Sequence, residues 1–195
     1  MAKNSRKTTK ARGGAARAFA PPLTVSHEAL LDAGSDQSFR ELLYLMAFAF
    51  DRLQSCREAF ARRAGLTGSQ FAVLFGVAFL QREGGVTVRD LAVHVHLAST
   101  HVTTEVGRLA GMGLLQKIPH PEDGRSVLVT LTQEGEQSVT ALAPTIREVN
   151  DLLFKNIDRT DVERARSFLT QLVLNSEFAL AALRRLDQSE QLNTR

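Results

Sequence analysis

The stretch from Gly85 to Gly135 constrains this chain more than any other, because its caps and breaks permit few arrangements. Thr87 followed by Asp90 forms an N-cap with an acidic residue at the third helical position, and Leu91, Ala92 and Val95 give one apolar face. This spacing predicts a helix of about two turns. The pattern breaks at His96 and Leu97, and Ser99 supplies a fresh N-cap. Val102, Val106 and Leu109 then recur at helical spacing until Gly111 and Gly113 end the segment. Two capped helices with a tight turn between them make a helix-turn-helix, whose second helix suits the DNA major groove.

The next segment reads as a hairpin. Leu115–Ile118 and Val127–Leu131 are β-prone, and the second run sets Val127, Val129 and Leu131 against Leu128 and Thr130. Between them, residues 119–125 form a polar tip rich in turn formers. A hairpin placed after a recognition helix is a wing that reaches a neighbouring minor groove. Arg125, at its tip, is the residue type drawn to the negative potential of a narrow groove.

Asp123-Gly124-Arg125-Ser126, followed by Val129, Leu131-Thr132 and Gly135, resembles the wing signature and following strand of MarR-type winged helix-turn-helix regulators. The resemblance extends from about Phe39 to Leu186. It implies a dimeric bacterial transcription factor, usually a repressor, whose DNA affinity falls when a small molecule binds or a cysteine is oxidised. Two residues depart from the family pattern: Glu105 stands where an apolar or neutral residue is usual, and Gly107 is a poor helix former in mid-helix.

A length of 195 residues suits one domain with extensions, and an apolar fraction of 44% is enough for a core. The net charge of +3 is unevenly placed. Residues 1–20 hold Lys3, Arg6, Lys7, Lys10, Arg12 and Arg17 and no acid, so they carry +6 and leave the remainder at −3. This tail reads as a disordered solubilising leader, or else as a basic arm that adds nonspecific phosphate attraction. It lacks the long apolar segment of a secretory signal. The longest apolar run, Leu42–Phe50, is about half a membrane span, so a cytoplasmic protein with no membrane partner is expected. Cys56, the single cysteine, cannot form an internal disulfide.

The remaining chain is expected to be helical, which makes the fold mainly α with a small β-hairpin wing. Residues 1–22 form the basic tail, 23–66 N-terminal dimerisation helices, 67–135 the winged helix-turn-helix and 136–195 C-terminal dimerisation helices. Leu42, Leu45, Met46, Ala49, Leu53, Cys56 and Phe60 make a continuous stripe on a helix from Ser38 to Ala64, closed by Gly65. Thr67 and Gln70 form a capping box, and Phe71, Leu74, Val77, Ala78 and Phe79 mark the buried side of the next helix. After the wing, Thr132 caps a helix to about Asn156 that Pro144 should kink or interrupt. Thr160 then opens a last helix through about Leu186. Such long helices beside a small reading head are expected to bury their excess apolar surface in a homodimer. A two-fold dimer places its recognition helices roughly 34 Å apart and calls for double-stranded DNA with a near-palindromic operator.

Individual contacts are assigned by position. Thr100, His101, Thr103 and Thr104 occupy the first turns of the recognition helix, within reach of base edges or phosphates. Ser99 caps that helix, contacts phosphate, or both; Arg108 contacts phosphate or forms a surface ion pair; Lys117 can flank the DNA. Asp123 orients Arg125 or anchors the wing through a charge-assisted hydrogen bond.

For regulation, the resemblance implies a small aromatic or phenolic effector held between the dimer helices and the reading head. Phe48, Arg52 and Phe71 are the candidate effector-binding residues. Where relatives that bind aromatic acids often carry Arg, this chain has Ala47 and Phe48, which leaves a carboxylate clamp unsupported, although Arg40 or Arg52 could substitute. A bulkier acyl thioester is also open. The alternatives are a winged-helix protein-interaction module without DNA binding, or a redox-sensing regulator built on Cys56. The sequence has no phosphate-binding glycine loop and no nucleophile elbow, so neither an enzyme nor a bound cofactor is expected. His94-x-His96 does not suggest a metal, because residues two apart on a helix do not share a face.

Overall fold

The computed structural model describes residues 19–82, 84–122 and 126–193, in two units that meet at Cys56 and Arg57. The basic N-terminal residues and the wing-tip residues Asp123 and Arg125 lie outside the described residues.

The first unit is organised by a buried carboxylate. Asp36 Oδ2 accepts hydrogen bonds from the Thr24 backbone N–H and hydroxyl, both at 2.6 Å, and Oδ1 pairs with Arg40 at 3.1 Å. The two Thr24 hydrogen bonds, with the Arg40 guanidinium behind them, outweigh desolvation and hold the Asp36 carboxyl below its ordinary range. A short 3-10 helix, Glu28–Leu30, and a turn bridged between Asp32 and Ser35 bring the chain back to this point. Helix α1, Gln37–Arg63, then begins, with the Asp36 carbonyl accepting the Arg40 N–H. The expected stripe on α1 is mostly uncovered: Leu42, Leu45 and Leu53 are exposed, and Met46 and Cys56 are half-buried. Phe60 and Ala61, in its last turns, are buried.

The second unit holds the core. Gly65 closes α1 in the left-handed region, and the expected capping box between Thr67 and Gln70 starts α2, Gly68–Leu80. Val73, Leu74 and Val77 of α2 are fully buried. So are Leu91 of α3, Val88–Val95, and Val102, Val106 and Leu109 of α4, Ser99–Gly111. These three helices pack on one another, and each buried aliphatic side chain contributes about 1.5–3 kcal/mol. At Gly76 the approach is so close that a Cβ would stand 2.7 Å from Leu91 Cδ1 and 2.8 Å from Val95 Cγ1. Phe79, expected to be buried, is 75% exposed; two residues on from Val77, it falls on the opposite side of α2.

The wing has more strands than the sequence revealed. Strand β2, Leu115–Pro119, pairs antiparallel with β3, Val127–Leu131, and Leu115 lies opposite Leu131. A two-residue strand β1, Val86–Thr87, pairs with the other edge of β3 and gives the order β1-β3-β2. With α2, α3 and α5 packed against it, β3 is covered on both faces: adjacent Leu128 and Val129 are both buried, and Val127 is exposed. The expected alternation of Val127, Val129 and Leu131 against Leu128 is therefore not observed.

Two caps differ from expectation. Ala98, without a side-chain acceptor, occupies the cap of α4, and Ser99 is already the first helical residue. At the start of the last helix, α6 (Arg159–Asn193), the cap is Asp158 rather than Thr160. Asp161 N–H donates to Asp158 Oδ1 at 2.8 Å, and Asp158 N–H donates to Asp161 Oδ2 at 3.2 Å. A carboxylate pair spaced in this way satisfies two otherwise open N–H groups, which a Thr inside the first turn cannot do. Before it, α5, Gln133–Leu153, is capped by Thr132 as expected and runs unbroken through Pro144. Thr140 and Pro144 are both exposed, so water can serve the carbonyl that the proline leaves unpaired. Gly135 fits α5 against the base of the wing, because a Cβ there would collide with the Leu114 carbonyl oxygen. None of the described α6 side chains is buried. Among the described residues, no single helix is long and apolar enough to cross a membrane.

Candidate nucleic-acid interface and adjoining cavity

The helix-turn-helix is built from the cap outward. Thr87 Oγ1 accepts the Asp90 N–H at 3.1 Å and donates to Asp90 Oδ2 at 2.8 Å, which starts α3. His96, in the left-handed region at φ 54°, ends it, and Leu97 and Ala98 complete the turn into α4.

With Val102, Val106 and Leu109 turned into the core, Ser99, Thr100, His101, Thr103, Thr104 and Arg108 are all exposed. Thr103 Oγ1 donates to the Ser99 carbonyl at 2.8 Å, and Thr104 Oγ1 donates to the Thr100 carbonyl at 3.1 Å. With its proton engaged, each hydroxyl faces a partner as an acceptor, beside a methyl able to meet the methyl of thymine. No side chain caps the first turn of α4, and a phosphate oxygen can fill that role at a helix N-terminus. Arg108 is not a free cation: its Nη1 donates to Glu105 Oε1 at 2.8 Å, and His101 Nε2 lies 3.5 Å from the same oxygen. Glu105 itself is 3% exposed.

The wing is closed at its described end by the His120 N–H donating to the Ser126 carbonyl at 3.2 Å. Lys117 is exposed on β2, opposite Val129.

A cavity of about 880 Å3 adjoins this head. One wall is aromatic: Phe71 stacks on Phe75 at 4.3 Å between ring centroids, and Phe60 is tilted against Phe71 at 6.2 Å. Val139 and Ile146 of α5 add apolar surface, Arg57, Arg147 and Asn150 add polar groups, and His94, Val95 and His96 close the side nearest the turn into α4. Phe71 is thus the candidate effector residue that lines the cavity. Phe48 and Arg52 belong to the first unit, where the guanidinium lies 4.6 Å above the Phe48 ring. Arg40, the other suggested clamp, is engaged by Asp36. Cys56 is a half-buried free thiol. The α5 contributors Arg147 and Asn150 were not singled out in the sequence, because nothing local marks a residue that meets α2 and α3 only through folding.

Comparison with known proteins gives a consistent result. A model of winged helix DNA-binding domains matches residues 66–135. An HTH-type transcriptional regulator of Mycobacterium leprae is 33% identical over 103 residues, which span 51% of this chain and 72% of that protein. A MarR variant from E. coli, solved with operator DNA, superposes with a TM-score of 0.57 at 21% identity, covering 71% of this chain and 99% of that one. The chain belongs to the MarR family. It is a DNA-binding transcriptional regulator of the MarR type, and its relatives are regulators rather than enzymes. Among MarR-family and HTH-type relatives, the transcriptional repressor IacR of Pseudomonas putida is 26% identical over 148 residues, covering 75% of this chain and 87% of that one. CouR of Rhodococcus jostii, solved with p-coumaroyl-CoA, has a TM-score of 0.62 at 20% identity, covering 71% of this chain and 95% of that one.

Proposed function

We propose that this regulator is a cytoplasmic homodimeric repressor that leaves its operator when an aromatic effector enters the cavity beside the helix-turn-helix. One observation carries this reading: His94, Val95 and His96, the end of α3 and the hinge into α4, form part of the cavity wall. A ligand seated there touches the segment that sets the angle of α4. The aromatic wall suits a ring, and Arg57 and Arg147 at the margin suit a carboxylate or the phosphates of an acyl thioester. The bound ligand of CouR and the repressor role of IacR support the same reading.

The dimer rests on exposed apolar surface. Phe168, Leu172, Val173, Phe178, Leu180, Leu183 and Leu186 are all exposed along α6, and Leu42, Leu45 and Phe48 are exposed on α1. Apolar surface of this extent marks an interface, and a second copy of the same chain covers it by two-fold symmetry. In such a dimer, Ser99, Thr100, His101, Thr103, Thr104 and Arg108 address each half-site, and Arg125, supported by Asp123, enters the minor groove. An effector lowers affinity only by favouring a spacing of the two heads that does not fit successive major grooves.

The test is footprinting of the purified protein on its own promoter region across a salt series, with and without a panel of aromatic acids and their acyl thioesters. Protection of a near-palindrome, weakened by Arg125→Ala without loss of the dimer, is expected, as is a 5- to 150-fold affinity drop, roughly, with the right effector. Equal operator affinity at saturation eliminates a compound. Undiminished binding by Arg125→Ala removes that residue from the interface.

A further inference from the structure

Glu105 occupies a position where a charge is costly. It lies among Val102, Val106 and Leu109, each 0% exposed, and is itself only 3% exposed. Its Oε1 accepts from Arg108 at 2.8 Å and lies 3.5 Å from His101, whereas Oε2 is buried without a hydrogen-bond partner. A half-satisfied carboxylate is a poor device for stabilising a helix, and an apolar side chain would pack in this place at lower cost. What the carboxylate does is hold two other side chains. His101 and Arg108 lie four residues before it and three after it, so all three share one edge of α4. Those two side chains are 47% and 61% exposed, and the guanidinium engages Glu105 through Nη1 alone. Its remaining N–H groups are left for another acceptor.

We infer that Glu105 is a positioning residue for operator discrimination: it fixes His101 and Arg108 against the recognition helix and restrains the Arg108 charge from binding phosphates on any sequence. The inference rests on the reading of α4 as the DNA-reading helix. A freely swinging Arg adds affinity for every duplex through counterion release, and so lowers specificity. A tethered one contributes where the docked geometry presents an acceptor to it. If Arg108 turned wholly to a phosphate, the buried carboxylate would lose its main partner, which opposes that movement.

The experiment measures affinity for the footprinted operator and for a scrambled duplex of equal length, across a salt series, with the full-length wild type, Glu105→Gln, Arg108→Ala, the double variant and Arg108→Lys. Glu105→Gln is expected to lower the operator-to-scrambled ratio about tenfold and to steepen the salt slope on scrambled DNA by about one. In the double variant, the ratio should equal that of Arg108→Ala alone, because Glu105 acts through Arg108. Arg108→Lys keeps the charge but not the fork, so the ratio should fall even if Glu105→Gln does not fold. Wild-type preference for the operator combined with an unchanged ratio in Glu105→Gln, or in Arg108→Lys where the first variant is unfolded, overturns the inference alone. Additive effects in the double variant also overturn it. A wild type with no operator preference overturns the DNA-reading assignment of α4, and this inference with it.

Discussion

The reading head and the last helix use similar apolar residues to opposite ends. In α2, α3 and α4, Leu74, Leu91, Val102, Val106 and Leu109 are wholly buried against one another. In α6, Phe168, Leu172, Leu183 and Leu186 fall on one face of the helix, yet all are exposed. Hydrophobic periodicity therefore shows that a face needs covering, but not what covers it. Where three short helices and a sheet come within reach of each other, one chain suffices. A 35-residue helix, about 50 Å long, has no comparable set of neighbours among the described residues.

This contrast can be broken most forcefully in the head. Leu74→Ala leaves a cavity at a fully buried site and is expected to cost about 2–5 kcal/mol, read by denaturant unfolding. A cost near zero would mean that the head is far more loosely packed than its burial indicates. On α6, Leu172→Glu should leave the head folded but raise the dimer dissociation constant at least tenfold, or about 1.4 kcal/mol, in sedimentation at falling concentration. An unchanged association would place the interface elsewhere. Arg108→Ala should flatten the log–log salt dependence of operator binding by less than the unit expected of a free phosphate-binding arginine, because Glu105 already engages it. A full unit lost would show that the pair opens on DNA.

The smallest effect is expected in the first unit. Because Asp36 is held below its ordinary value of 3.8, its stabilising contribution is complete above that value and disappears as pH falls through the lower folded one. Proteolysis of the segment around Thr24 should therefore accelerate only in strong acid. Asp36→Asn should make it faster at neutral pH and remove most of this acid dependence. A pH response identical to wild type would mean that the Thr24–Asp36 contacts do not hold the segment.

The helix-turn-helix was legible because its signals are local. Thr87 and Asp90, the break at His96 and the end at Gly113 each act within a few residues, and the structure puts the helix ends there. The errors arose where a distant partner intervenes. Strand β1 is too short to carry a pattern and exists because β3 offers it an edge. Adjacent Leu128 and Val129 of β3 are both buried because α2, α3 and α5 all pack against that strand, and the two-residue alternation is lost from its burial. Ser99 and Thr160 are both acceptable caps by residue type, but a neighbouring residue took the position in each case, and cap choice depends on where the preceding turn delivers the chain. Of the candidate effector residues Phe48, Arg52 and Phe71, Phe71 lines the cavity beside the helix-turn-helix. Phe60 and Phe75 complete its aromatic wall, and α5 supplies Arg147 and Asn150, which no local pattern marks.

By itself, the sequence determined the helices, the wing strands β2 and β3 and the family, because capping, periodicity and glycine placement act over one or two turns of chain. Tertiary structure alone decided which apolar faces are covered within the chain, and that a buried Glu105 holds His101 and Arg108 on the edge of α4. It alone decided, too, that α1, α2, α3 and α5 line a cavity that reaches the turn into α4. Burial and enclosure belong to surfaces brought together from distant parts of the chain, and no local pattern specifies how such surfaces meet.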